Sequence, residues 1–254
     1  MPCLIEQVQR TNASLPRWVK SQQQLAEKKI ASTPFPNSKQ EHWKYLPVEK
    51  LEKINFNSPD SLNDPGLLIN TYQPIIKSQS YKIFISNGKI ITIDEALKPI
   101  IKIKQFSDCK QLNSELVSAL NKPSSSDPFF YFLNSSMLVD GILLEVPENS
   151  FIEHPIHIIN LGPSDISSVN SPKLIVRIAP YSNIKLIEEF YDLNSSGSLT
   201  NSVTQIKIDE NATVNHDRIV NINSENYHFG QIAFDLGTNA RLFSNSLVIG
   251  GQIA

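Results

Sequence analysis

The stretch Asp140–Leu161, "DGILLEVPENSFIEHPIHIINL", holds two alternating apolar runs on either side of Pro147–Glu148–Asn149–Ser150. Period-2 alternation broken by a tight turn reads as strand, turn, strand. The turn lacks the Asn-Gly pair that closes a two-residue hairpin. Three later segments share the plan: "RIAPYSNIKLIEEF", "KIDENATVNHDRIV" and "DLGTNARLFSNSLV". The small residues after their turns, Ser150, Ser182, Ala212 and Ala240, are 32, 30 and 28 residues apart. A near-fixed period of this size signals stacked coils. The other connection in each period is polar and shortens, from "GPSDISSVNSP" to "LNSSGS" to "NSEN". Constant turns on one edge and variable loops on the other predict a parallel β-helix. Crossover chirality predicts that it is right-handed. Alternation does not fix strand direction, so an antiparallel sandwich is the second reading.

Upstream, "RWVKSQQQLAEKKI" is rich in helix formers, with Ser14 placed to cap it and Pro16 tolerated at its start. Two prolines in "STPFPNSKQ" end it, and "EHWKYLPVEKLEKI" resumes helix-like spacing, interrupted by Pro47. Residues 57–75, with three prolines, read as a loop. "YKIFISNGKIITID" carries Asn87-Gly88 between alternating runs, a strong hairpin signal. "CKQLNSELVSALNK" reads as a short helix, and "PFFYFLNSSMLV" as a buried helix or strand. The chain is mainly β: residues 1–125 form an N-terminal helical region with a small β hairpin, and 126–254 the parallel β-helix.

A formal charge of −2 over 254 residues leaves no basic footprint for nucleic acid. Cys3 and Cys109 are far apart and make no ligand spacing, so two reduced thiols are expected. The N-terminus has no basic head followed by an apolar run, and no apolar run reaches the roughly 18 residues of a membrane span. These readings predict a cytoplasmic protein without a membrane partner.

His154 and His157, three apart on a strand, point to opposite faces and share no metal; both are expected at the surface or a corner. His42, His216 and His228 are isolated, and GxSxG, HExxH and phosphate-loop patterns are absent. No catalytic, cofactor-binding or metal-binding residue is assigned. Aligning the coils puts Ile184, Leu186, Glu188 and Phe190 on one face, then Val214, His216, Arg218 and Val220, then Leu242, Ser244, Ser246 and Val248. If the apolar members face inward, Glu188, His216 and Arg218 do too. A direct carboxylate–guanidinium contact between Glu188 and Arg218 is expected to fix coil register, with His216 or Ser246 as further partners.

These residues also resemble a family. "FPNSKQEHWKYLPVEKL", through Pro36, Glu41, Trp43, Lys44, Tyr45 and Leu51, is similar to a signature near the N-terminus of SufD proteins, components of the SUF iron–sulfur cluster assembly machinery. Leu133-Asn134 and Asp140-Gly141 resemble that family's entry into its β-helix, and the repeated segments resemble its successive coils. The resemblance runs from about Pro36 to the end and favours SufD over the related SufB. It implies a non-enzymatic scaffold that pairs with SufB and is assisted by the SufC ATPase, the iron–sulfur cluster being handled by the full complex. SufD proteins continue beyond the equivalent of "GGQIA", through the region that meets SufC. The expectation is therefore an N-terminal portion, with no cofactor of its own and an exposed last coil open to self-association. A stand-alone β-helical binding module is the alternative, and a polysaccharide-active β-helix enzyme the third reading.

Overall fold

A computed structural model describes residues 15–54, 56, 65–110, 128–162, 167–192 and 196–254. Two sheets face each other across a shared core. One runs β12-β10-β8-β5-β1-β2, the other β11-β9-β7-β4-β3, with the short β6 (Val169–Asn170) pairing with β9. The first sheet comprises β1 (Tyr81–Ser86), β2 (Lys89–Ile93), β5 (Ile156–Leu161), β8 (Asn183–Tyr191), β10 (Thr213–Ile222) and β12 (Arg241–Gly250). The second comprises β3 (Lys102–Gln105), β4 (Ile142–Val146), β7 (Lys173–Ile178), β9 (Leu199–Ile208) and β11 (Tyr227–Leu236). From β4 onward, the short β6 aside, successive strands alternate between the sheets, and the pairings among these strands are parallel. This is a parallel β-helix, and the antiparallel sandwich is excluded.

The repeat read from the turns is the coil. Thr213 pairs with Asn183 on one side and Arg241 on the other, which stacks Ala212 between Ser182 and Ala240. Phe151 bridges to Asn183, and the Ser150 amide donates to Ser182 Oγ at 3.1 Å, which adds Ser150 to the column. Each corner turns on the residue before it: Asn149, Tyr181, Asn211 and Asn239 have φ of 57°, 58°, 56° and 56°. Asparagine is among the few side chains that visit this left-handed region readily. A small residue follows because Ser182 and Ala212 are enclosed by their neighbours in the column.

The hairpin expected at Asn87-Gly88 forms, with φ of 46° and 76°, as a type I′ turn requires. A Cβ on Gly88 would lie 2.1 Å from the Asp140 carbonyl oxygen, so the turn packs directly on the entry to β4. Its first strand, β1, adds to β5 in parallel, and β3 pairs antiparallel with β4. Strand pairing thus joins residues before 125 to the coils.

Helix α1 (Arg17–Ala31) buries Val19, Gln23, Ala26 and Ile30, a stripe at helical spacing. The Ser14 cap and the helix expected within 109–122 fall on or among residues outside those described. "EHWKYLPVEKLEKI" forms two short 3-10 turns, Glu41–Trp43 and Val48–Lys53, rather than an α-helix; Pro47 separates them. Within the expected loop, Pro65–Thr71 forms a short helix, α2, with proline at its first position. "PFFYFLNSS" resolves as helix α3 (Phe129–Ser136), enclosed on nearly every side.

The core changes character along the strands. Near the corners it is aliphatic: Ile142, Leu144, Val176, Ile178, Ile184, Leu186, Ile206, Ile208 and Val214 pack together. A second cluster docks the helical layer on the other edge, where Phe130 stacks on Phe229 with centroids 3.9 Å apart and Trp43 packs against both. Between the two lies a polar layer. Among the described residues, no helix is long and apolar enough to cross a membrane.

Candidate functional site

The alignment of coils places Glu188, Arg218 and His216 together inside the β-helix. Arg218 pairs in register with Glu188, and His216 with Leu186. All three side chains are enclosed, with Glu188 1%, His216 1% and Arg218 6% exposed. The expected direct Glu188–Arg218 bond is replaced by hydrogen bonds to residues of the facing sheet and by contacts with His216 and Phe190 of their own. Glu188 Oε1 accepts from the Thr204 hydroxyl at 2.6 Å, and Oε2 lies 3.8 Å from His216 Nε2. Arg218 Nη2 donates to Ser202 Oγ at 2.6 Å and to His228 Nε2 at 3.3 Å, while the guanidinium sits 4.8 Å from the Phe190 ring centre. His216 Nδ1 meets Ser244 Oγ at 3.1 Å, so Ser244, not Ser246, extends the network.

Charge still couples the two ionic groups. Burial pushes the Glu188 carboxyl up, but Arg218, His216 and Thr204 outweigh it and hold it below its ordinary value. His228 is driven well below the ordinary histidine value, first by burial and then by Arg218. It is neutral, with Nε2 accepting and Nδ1 carrying the proton without a hydrogen-bond partner. Gly230 makes room for this arrangement, since a Cβ there would lie 2.2 Å from Arg218 Nη2.

Ser202, Thr204, His228 and Gly230 escaped the sequence reading because each lies on the second strand of its coil. That strand follows the loop of variable length, so the repeat does not carry its register. The alternation within "LTNSVTQIKI" was the available signal, because Ser202, Thr204, Ile206 and Ile208 share one face.

Of the histidines around Pro155, His154 sits part-exposed at a bend before β5, as expected, and His157 does not. His154 lies against Tyr81, with ring centres 5.6 Å apart. His157 is fully enclosed on the outer face of the first sheet, which corrects the surface assignment. Its Nε2 is 2.9 Å from Glu189 Oε2, and the same oxygen accepts from the Tyr72 hydroxyl at 2.7 Å. Tyr72 also packs edge-on against Phe84 and Tyr191. Burial and the Glu189 hydrogen bond push its phenol well above the ordinary value. The chain just after α2 therefore covers a face that the alternation pattern left open to solvent. Among the described residues, no three His, Cys, Asp or Glu side chains converge as metal ligands.

The motif residues upstream anchor the coils. Asn134 is enclosed and donates through Nδ2 to the carbonyls of Pro172 at 2.9 Å and Asn201 at 2.7 Å, tying α3 to two neighbouring coils. The Asp140 carboxylate accepts from the Ser107 amide and hydroxyl and from the Gly141 amide. Burial pushes that carboxyl above its ordinary value despite these bonds. A Cβ on Gly141 would lie 2.3 Å from the Phe106 ring, which accounts for the glycine.

Residues 160–254, the stretch from the end of β5 through β12, match the family model described as SUF system FeS cluster assembly, SufBD core domain. The chain resembles the SufBD family. It is also 21% identical over 239 residues to an iron–sulfur cluster assembly SufBD family protein of Synechocystis sp.. That alignment covers 89% of this chain and 52% of the relative, so the chain spans about half the length of the curated relative it matches. The SufBD match covers the parallel coils from β7 to β12, and the polar layer lies within them.

Proposed function

We propose that this chain acts as a non-enzymatic scaffold subunit of the SUF iron–sulfur cluster assembly complex, of the SufD type. In this reading it pairs with SufB, is assisted by the SufC ATPase, and works in the cytoplasm. The observation that carries it is the coincidence of the SufBD core match with the stacked coils β7 to β12. The SufD assignment rests on the resemblance of "EHWKYL", Leu133-Asn134 and Asp140-Gly141. A scaffold role is supported by how the interior polar groups are used: Thr204, Ser202, Ser244 and His228 bond to Glu188, Arg218 and His216. The iron–sulfur cluster is cargo of the complex, and no residue of this chain is assigned to it.

Co-expression with SufB and SufC, followed by affinity purification of SufB, tests the proposal. Stoichiometric co-elution of this chain is the expected result. Free elution of the folded chain, while SufB and SufC remain associated, would overturn it.

A further inference from the structure

Lys173 lies on β7 with Leu174, its neighbour, pointing into the core. The lysine therefore points to the outer face of the second sheet, where the helical layer covers it and leaves it 3% exposed. Its amine donates to Ser135 Oγ at 2.6 Å and sits 4.9 Å from the Tyr131 ring centre, both on α3. A cavity of about 10 Å³ adjoins it, lined by Trp18, Val19 and Gln22 of α1 with Phe106, Ser135 and Leu138. That is room for about one water. Helix α1 is held over it by Gln23 Nε2, which donates to the Leu138 carbonyl at 2.8 Å, and by Trp18 Nε1, which donates to the Cys109 carbonyl at 2.8 Å.

A buried ammonium ordinarily pairs with a carboxylate, because taking an unpaired charge out of water costs several kcal/mol. Here no charged partner faces the amine among the described residues. Trp18, Gln22, Phe106, Ser135 and Leu138 carry no charge, its β9 partner is Val203, and the next outward residues of its own strand are Ile175 and Arg177. Tyr131 is the titratable neighbour, and burial pushes its phenol up, so it stays neutral at ordinary pH.

We propose that Lys173 is a pH-sensitive latch on helix α1: the helix docks over the uncharged amine and lifts when the amine must carry a proton. Burial alone brings the lysine down to about 7 from its ordinary 10.5. Lifting α1 returns the amine to water and to its ordinary basicity. The open state then binds the additional proton between those two values. Docking is therefore tightest above about 10.5 and weakens as pH falls, down to about 7, where both states are protonated. Within this window the opening constant rises about tenfold per pH unit. Opening exposes the sheet face around Lys173, Leu143 and Ile175, which Val19 of α1 and Leu15 just before the helix cover. This device is independent of the SUF assignment.

Hydrogen exchange of the α1 amides, corrected for intrinsic rates, tests it between pH 7 and 9. Protection factors are expected to rise about tenfold per pH unit, and the rise to vanish in Lys173→Met. Trp18 lines the cavity, so its accessibility to a neutral quencher is expected to follow the same profile. Protection that is independent of pH in the wild type, or an unchanged slope in Lys173→Met, would overturn the latch. If Lys173→Met does not fold, Lys173→Gln gives the same comparison under the same two outcomes.

Discussion

Glu188 and Glu189 are neighbours on β8, both enclosed, and they face opposite sides of one sheet. Glu188 points between the sheets and is held by Thr204, by His216 and by the charge of Arg218 one coil on. Glu189 points outward, under Tyr72, and shares one oxygen between that hydroxyl and His157. The interior carboxylate is compensated by residues of the coils themselves. The outer one adds to a coil residue, His157, the hydroxyl of a segment more than a hundred residues upstream, laid across the sheet. A strand in a β-helix can therefore bury charge on both faces, and the two faces draw on different parts of the chain.

The largest effect expected from breaking this comparison is on the interior side. Arg218→Met leaves Glu188 without its counter-charge and takes the guanidinium donor from His228, leaving it the Ser202 hydroxyl at 3.4 Å. A loss of about 3–5 kcal/mol is expected, measured by chemical denaturation. Glu188→Leu with Arg218→Met is expected to cost less than Arg218→Met alone, because it removes the uncompensated charge. Additive losses across the double-mutant cycle would show that the two groups are uncoupled.

On the outer side, Tyr72→Phe removes one hydrogen bond to Glu189 and keeps the ring packing. A loss of about 1.5–3 kcal/mol is expected, the range for bonds to charged groups. A null effect would mean that His157 alone satisfies the carboxylate.

The difference between the faces is also a difference in legibility. The column of Ser150, Ser182, Ala212 and Ala240 was readable because tight corners repeat a backbone conformation, and that conformation restricts residue type. From the column, the inward faces of β8, β10 and β12 follow by counting, which is how Glu188, His216 and Arg218 were found. Their partners were not readable. Thr204, Ser202 and His228 lie beyond loops of changing length. Tyr72 reaches Glu189 from a segment whose three prolines read as a loop. Counting from a repeat also cannot tell which of two acceptors a guanidinium will choose, so the direct Glu188–Arg218 bond was replaced by bonds across the interior. The burial of His157 is illegible for a related reason: strand alternation identifies an outward face, but not what covers it.

A third, smaller effect separates the faces by pH. His228 is neutral when folded and ordinary when unfolded, so the unfolded state binds the extra proton as pH falls below about 6.5. The stability that its neutral state supports is present above that pH and lost below it, at about 1.4 kcal/mol per pH unit. His228→Gln is expected to flatten this slope in denaturation midpoints taken between pH 7 and 5.5. Retention of the full slope would assign it to another group.

The smallest expected effect lies at a corner, away from both carboxylates. Tyr181 occupies the left-handed position that Asn149, Asn211 and Asn239 hold in the other coils, with φ of 58°. A non-glycine residue there costs about 1–2 kcal/mol, and asparagine is the exception because its short polar side chain bonds locally. The Tyr181 ring is 48% exposed and has little packing to lose. Tyr181→Asn is therefore expected to stabilise the protein by about 1 kcal/mol, a rise of about 2–4 °C in Tm for a chain of this size. The Tyr181 amide donates to the Glu210 carbonyl at 3.2 Å, a backbone bond that asparagine keeps. Because the corner shares no partner with the polar layer, the gain is expected to add to the loss from Arg218→Met within about 0.5 kcal/mol. Destabilisation by Tyr181→Asn would mean that the exposed ring is held by contacts stronger than the backbone strain. Non-additivity with Arg218→Met would mean that the corner and the interior layer set coil register together, rather than each fixing its own part of the coil.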